Sequence, residues 1–403
     1  MQILRCSVHE AVSFPQTRTC PLRPPHGYAE LTAQGPLHRV EFVDGRTGWV
    51  VTRHEEARAL LSDPRLSSDR ADPGFPKISP RALVVRGQPP SFIGMDPPEH
   101  GRHRRMAISE FTVRRINALR PRIEEIAEQA AGRLRAAGPP ADVVTHYALP
   151  IPSLVICEVL GVPYSDHEFF EDTSRRIARA GSDEETAASV RELAQYLDSL
   201  VEAATKRPGP GLIGKMVREE LARGEITRES LVSTAMLLLA AGHETTANMI
   251  GLGIATLLEH PDQLAEFRAD PDVVPGAVEE MLRYASVADT TGLRVATEDI
   301  EIAGRLIRAG EGVAIPNGPA NFDPAVFPDP DTFDIHRGSR RHNAFGYGVH
   351  QCLGQNLARL ELRVALPLLF ERFPTLRFAT PAADFEPRRP DVNQGLDTLT
   401  VTW

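Results

Sequence analysis

A chain of 403 residues, 42% hydrophobic and 25% charged, can bury a substantial core as one large domain or two average ones. Its formal net charge of −9 gives no general reason to expect a nucleic-acid partner. Four cysteines (Cys6, Cys20, Cys157 and Cys352) lie far apart without paired spacing, which indicates neither a disulfide framework nor a zinc site.

The first forty residues are proline-rich and read as an irregular lead-in without the basic-then-apolar pattern of a signal peptide. Two strand-like runs, from His38 and from Gly48, flank Asp44-Gly45 and predict a hairpin. Residues 54–62 read as helix, and 70–95 as a long loop rich in Pro, Gly and Ser. Asp96-Pro97-Pro98 predicts an N-cap followed by prolines in a first helical turn. Apolar residues at Leu119, Ile123, Ile126, Ala130 and Leu134 mark an amphipathic helix. Further helices are expected near 152–160, 165–180, 185–205, 211–223, 228–259, 262–269 and 273–285, with Lys206 to Gly211 as a connector. The apolar run around Ala235–Ala241 is too short to cross a bilayer, so the chain reads as cytoplasmic with no membrane anchor.

Beyond Arg294 the texture changes to short β-like runs at 299–302, 305–307 and 313–315, then a proline-rich meander from Asn321 to Arg337. The expectation is a mainly α protein, one domain over 1–403. Its helical body covers mainly 96–285 and 353–371, and its minor β portion mainly 38–53, 292–316 and 376–403.

The most informative segment is Phe345-Gly-Tyr-Gly-Val-His-Gln-Cys352-Leu-Gly354. A lone cysteine is usually a small buried hydrophobe. Here it sits just past a glycine-punctuated turn and just before a helix-like stretch, where free N–H groups and the helix dipole favour a thiolate. Such a sulfur is a good axial ligand for haem iron. The segment resembles the haem-ligand loop of the cytochrome P-450 family, Phe-Gly-x-Gly-x-His-x-Cys-x-Gly, with every fixed position present. The likeness runs from Cys20 to Trp403 and is strongest to soluble actinobacterial members, through Asp96-Pro-Pro-Glu-His100 and Gly348 to Arg359.

Ala241-Gly242-His243-Glu244-Thr245-Thr246 places a glycine and threonines inside an apolar helix, against propensity. Threonines there can simply bond back to the preceding turn. The resemblance makes this the oxygen-activating helix, with Ala241 and Gly242 forming a groove beside haem and Glu244 and Thr245 delivering protons. It leaves His243 at a variable position with a structural or solvated role. It also implies that His100, Arg104, Arg294 and His350 anchor the haem propionates, that Phe345, Gly346 and Gly354 shape the ligand loop, and that Glu280 and Arg283 form a buried pair supporting it. Asn321-Phe322-Asp323-Pro324 departs from the family's Asn-Arg-Asp-Pro, which changes local contacts there.

The implied enzyme is a haem-thiolate monooxygenase carrying haem b and using O2. No flavin or iron–sulfur segment is read in the chain, so its electrons would come from NAD(P)H through a ferredoxin and its reductase. Basic runs at Gly101–Arg105, Arg114-Arg115 and Ser339–His342 are the expected ferredoxin-docking surface. The expected substrate is lipophilic (a macrolide, polyene, other polyketide-like compound, steroid or xenobiotic), met by Phe92, Ile93, Leu237, Leu238, Val287, Thr290, Thr291 and Leu396. The chain is expected to act as a monomer. Epoxidation or oxidative coupling would use the same motifs. A peroxide-driven enzyme would commonly lack the acid–threonine pair, and a haem sensor or carrier would bind haem without turnover.

Overall fold

The computed structural model describes residues 12–78 and 91–403, apart from 167, 170–171, 174–175, 177–181, 291 and 391–392. It is 55% helical and 9% strand. Residues 79–90 of the 70–95 loop, most of the expected 165–180 helix and Thr291 therefore lie outside the described residues.

Helix ends fall where nearby groups satisfy free backbone donors and acceptors. Ser182 accepts from the Glu185 N–H at 3.2 Å to open Asp183–Lys206. Thr227 does the same for Ser230 at 3.2 Å to open Arg228–Glu259. Pro150 stands at the start of Pro150–Leu160, where a missing N–H costs nothing, and Gly161 closes that helix in the left-handed region. Asp96 departs from expectation. Its helix is Glu99–Ile108, with both prolines ahead of it. The Asp96 carboxylate accepts instead from Ser67 Oγ and, at 2.8 Å, from the Ser68 N–H. It ties two distant segments rather than capping its own helix.

The central helix Arg228–Glu259 has 32 residues, a length of about 48 Å. Packing on several sides explains its nearly uniform apolarity. Gly253 is one reason neighbours fit closely: a Cβ there would lie 3.3 Å from Met281 Sδ and 3.4 Å from Leu366 Cδ1. Those residues belong to Val274–Ala285 and to the C-terminal helix Gln355–Arg372.

A six-stranded sheet runs Val12–Ser13, Leu37–Glu41, Thr47–Val51, Gly312–Ala314, Leu293–Ala296, Leu66–Ser67. The expected hairpin is its second and third strands, antiparallel with His38 opposite Val50 and Val40 opposite Gly48. Gly312–Ala314 runs parallel to Thr47–Val51 and antiparallel to Leu293–Ala296, so Arg294 lies on an inner strand opposite Val313. A smaller sheet joins Arg377–Phe378, Thr400–Thr402 and Ala141–Asp142. That last strand lies within the stretch expected to be helical, because two residues are too few to leave a periodic signal.

The main apolar core draws on residues from Leu22 to Val401, and two smaller clusters pack around the six-stranded sheet. Among the described residues no helix is long and apolar enough to cross a membrane.

Candidate active site

The cysteine loop is a series of backbone-bonded turns. The Cys352 N–H donates to Phe345 O at 2.8 Å, Gly346 to Asn343 O at 2.7 Å, and Gln351 to Gly348 O at 3.1 Å. Gly346 and Gly348 have φ of 66° and 73°, where a side chain is strained. A Cβ on Gly348 would also collide with the Leu61 carbonyl oxygen. The loop is thereby pressed against the helix His54–Leu61.

Gly354 occupies the cap position of the C-terminal helix. Burial raises the Cys352 pKa, while the Gly354 and Gln355 N–H groups and the cations of Arg104 and Arg359 act against that rise. The residue lies deep in the fold yet keeps exposed surface. A metal cation at the sulfur would tip this balance to thiolate, because coordination removes the thiol proton.

Beside it gathers a group of cationic and imidazole side chains with few anionic partners. The rings of His100 and His350 are 4.0 Å apart, centroid to centroid. Burial first, then Arg294, His100 and Arg104, holds the His350 pKa down to about 3. The His100 pKa falls for the same reasons, burial and then Arg104. Burial also lowers Arg104, and brings Arg294 to about 10 with Arg70 adding to the effect and Asp96 opposing it. Arg104 donates to the Gln351 carbonyl and Arg294 to Leu293 O at 2.7 Å. His350 Nε2 meets Ser68 Oγ at 3.0 Å, while the buried His100 Nε2 has no hydrogen-bond partner. Repelling cations and an unpartnered buried nitrogen suit a dianionic ligand edge. With the Cys352 sulfur close to one of these cations, Arg104, the donor set fits haem.

Behind the loop, Arg359 lies 4.5 Å over the Phe345 ring and grips Glu279 with two bonds of 2.8 and 2.9 Å. His342 meets the same carboxylate at 3.2 Å, and Arg363 and Arg340 approach at 3.4 and 3.8 Å. Burial would push the Glu279 pKa up, but bonds from His342 and Arg359 hold it at about 2. His342 is therefore buried rather than part of a docking surface.

Glu280 and Arg283 are almost fully buried and doubly bonded at 2.7 and 2.8 Å. Arg283 also donates to Asn321 O at 3.0 Å, while Asn321 Oδ1 accepts from the Asn343 N–H at 2.6 Å. The pair thus reaches the base of the cysteine loop through the meander. Asp323, in the divergent Asn-Phe-Asp-Pro run, accepts from the His54 N–H at 2.9 Å.

On the central helix, Ala241 is exposed and Thr245 Oγ1 donates back to its carbonyl at 2.6 Å. Glu244 is partly buried, which raises its pKa against the influence of Arg388 and Asn393. Gly242 corrects the sequence reading. A Cβ there would sit 3.1 Å from Ile156 Cδ1, so the glycine faces the helix Pro150–Leu160 and serves close packing rather than a groove. His243 is buried, which fits the structural alternative.

Of the substrate candidates, Phe92 belongs to the apolar core and packs near the His100 ring at 6.3 Å. Ile93 is exposed, and Leu237 and Thr290 are partly so. Leu238, Val287 and Leu396 are buried, and Val287 O accepts from the Gln394 N–H at 2.9 Å. Sequence reasoning passed over Arg70, Glu279, Arg359 and Arg388. Arg70 closes the run Leu66-Ser-Ser-Asp-Arg70, whose only signal is a polar cluster after a two-residue strand.

The chain matches the family model for cytochrome P-450 over residues 183–387. It is 56% identical to the vitamin D3 dihydroxylase of Streptomyces griseolus, covering 98% of this chain and 97% of that one. It is 53% identical to the pentalenic acid synthase of Streptomyces avermitilis, covering 98% of each. The crystal structure of the mycinamicin VIII C21 methyl hydroxylase of Micromonospora griseorubida, bound to mycinamicin VIII, superposes with a TM-score of 0.92. That pair shares 46% identity over 97% of this chain and all of the other.

Proposed function

The chain belongs to the cytochrome P-450 family and is a haem-thiolate monooxygenase, and from that premise we propose that it hydroxylates a lipophilic secondary metabolite of macrolide, polyene or other polyketide-like type, as a single catalytic domain. Haem b, when bound, supplies the iron centre that activates O2 so that one oxygen atom enters the substrate.

The residues of the chain divide the remaining work. Cys352 would give its sulfur to the iron, and the Gly354 and Gln355 N–H groups would steady the charge there. His100, Arg104, Arg294 and His350, joined by Arg70, receive the ring's carboxylates. Phe345, whose carbonyl receives the Cys352 N–H, is covered by Arg359. Glu244, kept protonated to higher pH by burial, passes a proton towards the Thr245 hydroxyl as a general acid. Ile93, Leu237, Leu238, Val287, Thr290 and Leu396 shape the apolar side of the pocket.

A ferredoxin and its NAD(P)H-dependent reductase supply the electrons in this reading. Arg105, Arg114, Arg115, Arg340 and Arg341 are exposed, as are Tyr347 and Val349 of the cysteine loop, which suits an acidic carrier with an apolar centre. Charge reversal at Arg105 should slow ferredoxin-supported turnover most at low ionic strength; salt-independent slowing removes the docking assignment.

The carrying observation is the meeting of one sulfur, two helix N–H groups and the unbalanced cations around His100. Cys352→Ser tests it. The red-shifted Soret band of the reduced carbon-monoxide complex should vanish, and its persistence would exclude Cys352 as ligand. For the substrate, a panel of macrolides, polyenes and vitamin D-like compounds should be screened for the low-to-high-spin shift. Vitamin D-like compounds are the second reading, favoured by the 56% identity to a vitamin D3 dihydroxylase.

A further inference from the structure

The turn Asn393–Asp397 carries Leu396, a proposed substrate contact, and lies directly on the central helix at the acid Glu244. Asn393 Nδ2 donates to Glu244 Oε2 at 3.4 Å. Gly395 approaches Asn248, one helical turn beyond Glu244, so closely that a Cβ would collide with it. The Gln394 N–H donates to Val287 O at 2.9 Å. One guanidinium then joins the turn to the acid. Arg388 donates to Asn393 O and Leu396 O, each at 3.3 Å, and to Asp397 Oδ1 at 3.0 Å, while its Nη1 stands 3.6 Å from Glu244 Oε1.

We propose that Arg388 is a positioning residue that couples the substrate-contacting turn to the proton donor Glu244. The inference rests on the reading of Glu244 as that donor. A single cation is shared between two carboxylates, the half-buried Glu244 and the exposed Asp397. Its grip on Leu396 O means that a substrate displacing Leu396 also displaces the guanidinium. With the guanidinium close, the rise that burial imposes on the Glu244 pKa is partly offset. With it drawn off, burial and the negative charge of Asp397 dominate and the carboxyl retains its proton. Movement of the turn is thereby converted into proton affinity at the acid. Asn393, which donates to Glu244, moves with the turn. The arrangement keeps Glu244 protonated, and so stocked as a donor, when substrate is seated, and moves it towards carboxylate when substrate is absent.

Arg388→Met, Arg388→Lys and Glu244→Gln are compared as haem-loaded proteins. The carboxyl band of Glu244, identified by infrared difference against Glu244→Gln, should persist to higher pH in Arg388→Met than in the wild type. Amide exchange across 393–398 should quicken. Product formed per NAD(P)H should fall several-fold, with peroxide replacing product, and Arg388→Lys should restore part of it. An unchanged Glu244 titration in Arg388→Met overturns the coupling. So does an unchanged product yield where Glu244→Gln itself uncouples. If Glu244→Gln leaves product yield intact while Arg388→Met still shifts the Glu244 band, the reading of Glu244 as donor is what fails. Should Arg388→Met not fold, the Lys variant and Asp397→Asn decide: Asp397→Asn frees the guanidinium for Glu244 and should move the band to lower pH.

Discussion

Glu279 behind the cysteine loop and Glu244 on the central helix are the same residue type in opposite electrostatic settings. Burial pushes both towards the neutral acid. At Glu279, bonds from His342 and Arg359 overwhelm that push and hold the pKa at about 2. At Glu244 one guanidinium at 3.6 Å and one amide are too little, and the pKa stays raised. The first carboxylate is locked as a charge that fastens structure. The second is left able to exchange a proton. The two carboxylates differ in the number and closeness of their cations, not in depth alone.

The largest break in this contrast should come from Arg283→Ala. It leaves Glu280 buried beside an empty position and should cost about 3–5 kcal/mol, read as a lower melting temperature and reduced haem retention. Glu279→Gln should come next. The Glu279 pKa of about 2 lies below the unfolded value of 4.5, so its stabilisation is complete above pH 4.5 and fades as pH falls towards 2. Its loss should cost about 3 kcal/mol at neutral pH, and the gap between wild type and variant should close in acid denaturation. Gly348→Ala should cost about 1–3 kcal/mol through a strained φ and the clash with Leu61, and should loosen the cysteine loop as seen by amide exchange. Glu244→Gln should cost no stability at neutral pH. Its folded pKa is raised, so ionisation on going to higher pH works against folding, and a neutral amide escapes that cost. A large melting-point loss in Glu244→Gln would erase the distinction between the two glutamates.

The cysteine loop was legible because its chemistry is local: two glycines, a sulfur and the start of a helix within ten residues. His100 and Arg104 were legible as a pair because four residues bring side chains to one helix face. Glu279 was not, since its partners His342 and Arg359 are 63 and 80 residues away and only the fold brings them together. Gly242 misled for a related reason. A glycine in a helix announces a close approach, but which neighbour approaches depends on the rotation of that helix within the bundle. Asp96 had every local mark of a cap, yet Ser67 and Ser68 offered donors that sequence spacing could not reveal. The helices with strong periodicity agree closely with the residues expected, and Ala141–Asp142 was missed for its shortness.

The close seating of Gly395 on Asn248 has a bearing on how this pocket can diversify. A side chain at 395 would be the simplest way to reshape the roof over a new substrate, but it would lift the turn from the helix that carries the acid. Variation is therefore channelled to Leu396 and to the exposed Ile93, where residues can change without disturbing that seat. Lineages descending from such a chain should explore new molecules with position 395 silent, and directed libraries that randomise it should return mostly inactive clones.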